Sequence, residues 1–407
     1  MTIFLLACLA LYVAWNLGAN DVANSMGTSV GSKAVTLTQA IIIAGILEFA
    51  GAVIFGRNVS ATIASKVVNP DLFATTPQVF VTGMIAVLIS CGLWLQIATS
   101  AGLPVASSHA VIGAIAGFSW IAVGKDAVNW SNIGKISLGW LSTPILSAIV
   151  AIFIYFVLQR SLFNSNSVMR LQEWIPWLSA GLVTIFGVIV FPKFWQAEIF
   201  NNISFPRHDL SLALGGFAAT GLTLYSWQQL KTLKKSDDSS LEPVMAKFQV
   251  VSACFVAFAH GSNDVGNAIA PLAAVVYVKD TNTVPFGNIP IPAWILIIGG
   301  LGIVLGLAVQ GKNVIATVGE NIISLTPSTG FCAEIATATT ILLASKLGLP
   351  VSTSHTLVGS IVGIGLWRNR DSVDWSTIKS VVLAWVVTLP SAAILGAIFF
   401  SILNLII

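Results

Sequence analysis

Charged side chains are scarce in this chain. Lys, Arg, Asp and Glu make up only 9% of its 407 residues, whereas soluble domains carry roughly 25%. Hydrophobic residues reach 56%, and many apolar runs approach the roughly 20 residues that a helix needs to cross a bilayer. The weak alternation of a membrane β-barrel is absent. These properties exclude a soluble protein and predict an all-α integral membrane protein.

Cysteines and basic clusters are also few. The four cysteines are isolated within apolar runs, at spacings that match neither a zinc site nor a disulfide framework. The net charge is only +3, and the densest basic stretch, Lys231–Lys235, is followed at once by Asp237, which excludes a nucleic-acid partner. No His-Glu-x-x-His motif is present, and we expect a protein that is not an enzyme.

Twelve apolar runs predict about 12 transmembrane segments. Because no positively charged leader precedes the first run, we expect that run to be a retained helix. The runs cover residues 3–17, 40–56, 79–98, 105–123, 137–158, 174–191, 210–228, 249–262, 293–310, 329–347, 351–366 and 378–405. The predicted organisation is a first repeat of five runs, two connecting runs, a short polar loop and a second repeat of five runs, at residues 1–160, 161–230, 231–247 and 248–407.

Two pairs of duplicated motifs support this division. The segment Gly18–Asn24 (GANDVAN) returns as Gly261–Asn267 (GSNDVGN), and Gly102–His109 (GLPVASSH) returns as Gly348–His355 (GLPVSTSH). Polar residues are costly in a membrane and mark function there. Broken helices at matching positions of two repeats are a sequence indicator of a transporter binding site.

The repeats are predicted to have opposite orientations, because five runs per repeat and two connecting runs invert the second copy. With the loop 231–247 in the cytoplasm and both termini outside, cytoplasmic loops hold 11 of the 19 Lys and Arg residues. This distribution has the direction that the positive-inside rule requires. We therefore expect a multi-pass protein of a plasma membrane or bacterial inner membrane.

The first motif pair predicts a cation site. Glycine and asparagine favour an unwound turn within the helix, which would expose backbone carbonyls beside the carboxylates. Such hard oxygen ligands suit alkali or alkaline-earth cations. The alternative is that the two aspartates cap helices at the membrane surface. The predicted ligands are Asn20, Asp21, Asn24, Asn263, Asp264 and Asn267.

The second motif pair predicts an anion site. Proline ends one helix, and Ser or Thr then caps the next, which places free N–H groups and hydroxyls at the positive end of a helix dipole. Such a helix start binds phosphate. The predicted phosphate-binding residues are Ser107, Ser108, Thr353, Ser354, Asp21 and Asp264.

Five further residues are candidates for coupling or gating: Glu48, Arg57, Lys312, His109 and His355. For the two histidines, hydrogen bonds that steady the hairpins are favoured over a proton relay. Glu48 either coordinates an ion or pairs as a buried carboxylate with Arg57 or a backbone group. His260 has no counterpart in the first repeat, where Leu17 stands, so we interpret it as structural.

The doubled Asn-Asp signature resembles that of the inorganic phosphate transporter (PiT) family, and the resemblance covers both halves. It implies phosphate symport driven by Na⁺ or H⁺ in an inverted-repeat fold with two re-entrant hairpins. By motif position, the Asn-Asp residues would handle coupling ions and the hairpin hydroxyls would hold phosphate. Family members with a glutamate at the position of Glu48 often repeat it in the second half, where this chain has the glycine-rich stretch 299–306.

The resulting prediction is a secondary active transporter that imports inorganic phosphate with Na⁺ across the lipid bilayer. Na⁺ is favoured over H⁺ because several neutral amide oxygens suit a cation and are not needed by a proton. A proton-coupled phosphate or sulfate permease and a phosphate channel are the alternatives. The sequence leaves open whether identical subunits assemble.

Overall fold

The computed structural model describes residues 3–406, apart from 166–167, 195–206, 234–240, 288, 313–314 and 316–321. These described residues form thirteen α-helices and no β-strand. In chain order, the helices are α1 (Ile3–Gly31), α2 (Leu37–Phe55), α3 (Arg57–Lys66), α4 (Pro77–Ser100), α5 (Ser107–Val123), α6 (Trp130–Ser161), α7 (Val168–Phe194), α8 (Arg207–Leu233), α9 (Glu242–Thr281), α10 (Ala293–Gln310), α11 (Pro327–Lys346), α12 (Thr353–Arg368) and α13 (Trp375–Ile406).

Each of the twelve predicted apolar runs coincides with a helix. Among the described residues, eight helices are long and apolar enough to cross a membrane, and α5 is a shorter apolar helix. The prediction of an all-α, multi-pass membrane protein is confirmed. The predicted polar loop 231–247 lies largely outside the described residues, although α9 already begins at Glu242.

Corresponding helices of the two halves run in opposite directions. Asp21 of α1 lies beside Asp264 of α9. Just beyond the C-terminal end of α1, the Ser32 hydroxyl donates to Gln249, which precedes Asp264 on α9. The two helices are therefore antiparallel, as an inverted repeat requires.

Four helix pairs approach so closely that only glycine fits between them. A Cβ added at Gly18 of α1 would collide with the Ile303 carbonyl of α10, and one at Gly261 of α9 with the Glu48 carbonyl of α2. In the same way, Gly117 of α5 lies against the Ala393 carbonyl of α13, and Gly359 of α12 against the Pro144 carbonyl of α6. Each pair joins a helix of one half to a helix of the other, so the two repeats interlock.

The predicted Pro/Ser breaks produce two hairpins. Helix α4 ends at Ser100 and α5 begins at Ser107, while α11 ends at Lys346 and α12 begins at Thr353. Gly102 and Gly348 lie in the bends with φ of 66° and 69°, a left-handed conformation that glycine adopts without strain. We call Ser107 and Thr353, with the residue after each, the hairpin tips.

The predicted unwound turns at the Asn-Asp motifs are wrong. Helices α1 and α9 continue without a break through both motifs. The amide side chains bond to the hairpin bends and to other side chains, and so do not compete for the backbone of their own helix. Gly18 and Gly261 serve close packing rather than unwinding.

Candidate functional site

Two buried carboxylates meet where the centres of α1 and α9 lie side by side. Asp21 and Asp264 are each only 1% exposed. Together with His260, they bring three potential ligand atoms within 4.8 Å of one another. The pairing that the duplicated motif predicted is therefore present, although side chains alone supply the oxygens.

The hairpin tips contact these motifs across the repeats. The Thr353 hydroxyl donates a hydrogen bond to Oδ2 of Asp264 at 2.7 Å, and the amide of Asn24 donates to Thr353 at 3.3 Å. On the other tip, the amide of Asn267 donates to the Ser107 hydroxyl at 3.1 Å. The hydroxyls of Ser107 and Thr353 thus each accept a hydrogen bond from the Asn-Asp motif of the opposite half.

Asn20 and Asn263 lie at the hairpin bends. The amide of Asn20 donates to the Leu103 carbonyl at 2.9 Å, and its oxygen accepts the N–H of Val105 at 3.1 Å. The amide nitrogen of Asn263 donates to the Val351 carbonyl at 3.1 Å, and its oxygen accepts from the Ser345 hydroxyl at 3.0 Å. These two predicted ligands therefore hold the hairpins against α1 and α9.

Three acceptor oxygens near the tips have no hydrogen-bond partner among the described residues. They are Oδ2 of Asp21, Oδ1 of Asn24 and Oδ1 of Asn267, all of them buried. A buried polar atom without a partner is costly. A cation is the kind of ligand that gives such an acceptor oxygen a partner.

Each hairpin tip is also the N-terminal end of a helix. Ser107 and Thr353 are the first residues of α5 and α12, and N–H groups in a first turn lack intrahelical partners. The predicted caps differ between the hairpins. Ser352 caps α12 by accepting the N–H of His355, whereas Ala106 precedes α5 and provides no side-chain cap. The Ser108 hydroxyl has no partner among the described residues, and that of Ser354 contacts Ser352 at 3.0 Å.

His260, which the sequence led us to interpret as structural, lies between two buried carboxylates. Its Nδ1 lies 3.1 Å from a carboxylate oxygen of Glu48, and its Nε2 lies 3.1 Å from Oδ2 of Asp264. Glu48 is fully buried and also accepts a hydrogen bond from Ser25 at 2.6 Å. Of the alternatives for Glu48, pairing with Arg57 is wrong, because Arg57 is exposed at the start of α3. Lys312 is exposed as well.

A second buried glutamate was also missed. Glu334 of α11 is fully buried and accepts hydrogen bonds from hydroxyls of α1 and α9 and from an amide of α9; the donors are Thr28, Ser29, Ser252 and Gln249. The corresponding residue of α4 is Leu88, so a search for duplicated motifs overlooks it. A carboxylate within an apolar run was the signal that could have found it.

His109 and His355 lie directly behind the tips. Each is only 7% exposed, and its Nδ1 contacts a tryptophan carbonyl of the opposite half. These contacts agree with the predicted steadying of the hairpins.

Comparisons with known proteins extend over the whole chain. The model of the phosphate transporter family matches residues 17–396. A protein of Haemophilus influenzae that is named as a phosphate permease is 39% identical over 99% of this chain and 96% of its own length. The Arabidopsis thaliana chloroplastic inorganic phosphate transporter 2-1 is 37% identical over 95% of this chain and 70% of its own length.

A solved structure has the same fold. It is described as the sodium-dependent phosphate transporter, and it superposes with a TM-score of 0.90 at 35% identity, covering all of both chains. The match spans both halves and both hairpins. The chain belongs to the phosphate transporter family.

Proposed function

We propose that this protein imports inorganic phosphate by symport with Na⁺. Phosphate binds between the two hairpin tips, and Na⁺ binds at the Asn-Asp motifs. The proposal draws on the family, on a structural relative described as sodium-dependent, and on the geometry of the buried site.

The proposed binding of Na⁺ rests on the three acceptor oxygens without a hydrogen-bond partner in the described part of the chain. One comes from a carboxylate and two come from neutral amides. A proton would satisfy a single oxygen, whereas Na⁺ accepts several oxygen ligands at once. Hard oxygen donors without thiolates also favour such a cation over zinc or copper. We therefore assign Asp21, Asn24 and Asn267 to Na⁺. Asp264 joins them because its carboxylate lies within 4.8 Å of that of Asp21, while Asn20 and Asn263 orient the hairpins.

The proposed binding of phosphate rests on the hairpin tips. Ser107 and Thr353 bring hydroxyls and the N-terminal ends of two helices to one place, where an anion gains from the donors and from both dipoles. The adjacent hydroxyls of Ser108 and Ser354 extend the same site. Because the tips come from opposite repeats, phosphate would contact both halves of the protein.

Charge explains why the two ligands would bind together. Two carboxylates beside a phosphate repel it, and a pair of unit charges 4 Å apart interacts by about 4 kcal/mol at an effective dielectric constant near 20. Na⁺ bound at the carboxylates removes this repulsion. Cation and phosphate affinities are then raised reciprocally, as symport requires.

The test is uptake of radiolabelled phosphate into proteoliposomes under an imposed Na⁺ or pH gradient, with sulfate as competitor. We expect uptake that needs inward Na⁺ and is insensitive to sulfate. Asp21→Asn and Asp264→Asn should each abolish it. Asp280→Asn, which changes an exposed aspartate at the end of α9, serves as the matched control and should transport normally.

Normal Na⁺-driven uptake by either buried Asp variant would refute the assignment of the cation site. Uptake driven only by the pH gradient would make the carboxylates proton carriers and the protein a proton symporter. Flux that follows the phosphate gradient without either ion would indicate a channel.

A further inference from the structure

Behind the hairpin tips, four aromatic rings form a continuous column between the two repeats. The ring centroids of Trp140 and His109 are 3.9 Å apart, those of His109 and His355 are 4.9 Å apart, and those of His355 and Trp385 are 3.8 Å apart. All four side chains are buried. We call this set the His-Trp column.

Hydrogen bonds connect each histidine to the tryptophan that its ring does not contact. Nδ1 of His109 lies 3.2 Å from the Trp385 carbonyl, and Nδ1 of His355 lies 3.1 Å from the Trp140 carbonyl. A carbonyl oxygen only accepts, so Nδ1 is the donor in both contacts. Each histidine ring therefore packs, at a tilt of 38° or 35°, against one tryptophan, and its Nδ1 donates to the backbone of the other.

The column ties each tip to the helices that the opposite repeat contributes. His109 follows Ser107 by two residues within the first turn of α5, and His355 follows Thr353 in the same way on α12. The glycine contacts of α5 with α13 and of α12 with α6 begin one turn further along. The His109–His355 contact thus sets how far apart the two helix starts lie.

This separation matters for the anion. At the front of the tips, the polar contacts to Asn24, Asp264 and Asn267 are those that bound Na⁺ and phosphate would exchange. The contacts of the column join aromatic rings and tryptophan carbonyls, and they include neither the tip hydroxyls nor the Asn-Asp motifs. A hydrogen bond weakens steeply when donor and acceptor move apart or out of line, so two donor sets hold one tetrahedral anion only at a fixed spacing.

We propose that His109 and His355 are positioning residues that set the width of the phosphate site, and with it the affinity and selectivity for the anion. The proposal rests on the proposed binding of phosphate between the tips. It assigns to the two histidines a role that requires neither contact with the ligand nor a change in their charge.

The test compares leucine, phenylalanine and asparagine at each histidine. Leucine removes both ring and donor, phenylalanine keeps a ring without the donor, and asparagine places an amide donor close to the position of Nδ1. The readouts are the Kd for radiolabelled phosphate on purified protein at saturating Na⁺, and KM and maximal rate for uptake. Trp94→Phe is the control, because Trp94 donates to Thr388 close by but is outside the column.

We expect His109→Leu and His355→Leu each to raise Kd and KM about tenfold, which corresponds to one lost buried hydrogen bond, with a smaller change in maximal rate. His109→Asn and His355→Asn should stay near the wild-type Kd, and the phenylalanine variants should fall between. The double leucine variant should lose less than the product of the single effects, because either change already breaks the column. Sulfate should compete better in the leucine variants than in the wild type.

Wild-type Kd and KM in the leucine variants would overturn the proposal. If the leucine variants do not fold, the phenylalanine and asparagine variants decide. Phenylalanine variants with the wild-type Kd would then overturn the proposal. The Kd is measured without a gradient and so does not depend on symport. Phosphate binding without Na⁺-driven uptake in the wild type would refute the symport, and the Kd values would still test the role of the His-Trp column.

Discussion

At the scale of single residues, the two halves differ most where a buried ionisable side chain has an apolar counterpart. His260 stands where the first repeat has Leu17, and Glu334 stands where it has Leu88. The duplicated aspartates and tip hydroxyls are shared by both halves. Pseudo-symmetry therefore describes the central site and the histidines beside the tips, whereas His260 and Glu334 have no ionisable counterpart in the first half.

Glu334 provides a prediction at this scale. Glu334→Ala leaves four donors in a buried cluster without their acceptor, so the free energy of unfolding should fall by on the order of 3 kcal/mol. Glu334→Gln keeps one acceptor oxygen and should cost less. The measurement is thermal unfolding of purified protein followed by fluorescence of its 13 tryptophans.

Thr340→Val serves as the control for this experiment. Thr340 lies on the same helix as Glu334, and its hydroxyl donates only to the Ala336 carbonyl of its own helix. If Glu334→Ala were as stable as this control, the hydrogen bonds to Glu334 would not contribute to the folded state.

At the scale of helices, glycine positions determine which pairs pack closely. Gly113 and Gly117 of α5 lie against the Leu389 and Ala393 carbonyls of α13, and Gly359 lies against the Pro144 carbonyl of α6. The sequence contains the small residues at matching positions of both repeats but does not identify their partners. The structure shows that each partner comes from the opposite half.

Gly117→Ala tests this packing. The added methyl group would collide with the Ala393 carbonyl, which is backbone and cannot rotate away, so α5 and α13 must separate. We expect a loss of about 1–3 kcal/mol in the free energy of unfolding and a lower maximal rate of uptake.

The matched control is Gly221→Ala in α8, where nothing lies within 4 Å of an added Cβ. This change should be neutral or stabilising by up to about 1 kcal/mol, because alanine favours the helix. Equal stability of the two alanine variants would show that the contact between α5 and α13 tolerates a methyl group.

At the scale of the whole molecule, the interlocked repeats place corresponding loops on opposite faces. The end of α5 lies near the end of α13, where Phe118 contacts Phe400 with ring centroids 5.9 Å apart. The loop after α12 precedes α13 and so lies at the other end of that long helix. The loops after α5 and after α12 are counterparts in the two repeats.

Cysteine labelling tests this arrangement. In a background without the native cysteines, Lys125→Cys and Arg370→Cys should react with a membrane-impermeant maleimide from opposite sides of sealed vesicles. With the predicted orientation, position 125 faces outside and position 370 faces the cytoplasm. Labelling of both positions from one side would contradict the inverted repeat, and labelling with the sides exchanged would reverse only the orientation.

The sequence by itself determined the class of protein and the parts of the site. Scarce charge and twelve apolar runs require membrane helices, and the duplicated motifs identified Asp21, Asp264, Ser107 and Thr353 as residues that come together. These features are local in sequence or repeated at a nearly constant offset, so a single chain is enough to reveal them.

The tertiary structure decided how these parts meet. The Asn-Asp motifs remain helical because Asn20 and Asn24 find partners on other helices, which no local pattern reveals. The contacts of His260 with Glu48, of Glu334 with α1 and α9, and of His109 with Trp385 join residues far apart in the chain. They exist because close packing pairs helices across the two halves, and packing of this kind depends on the whole fold.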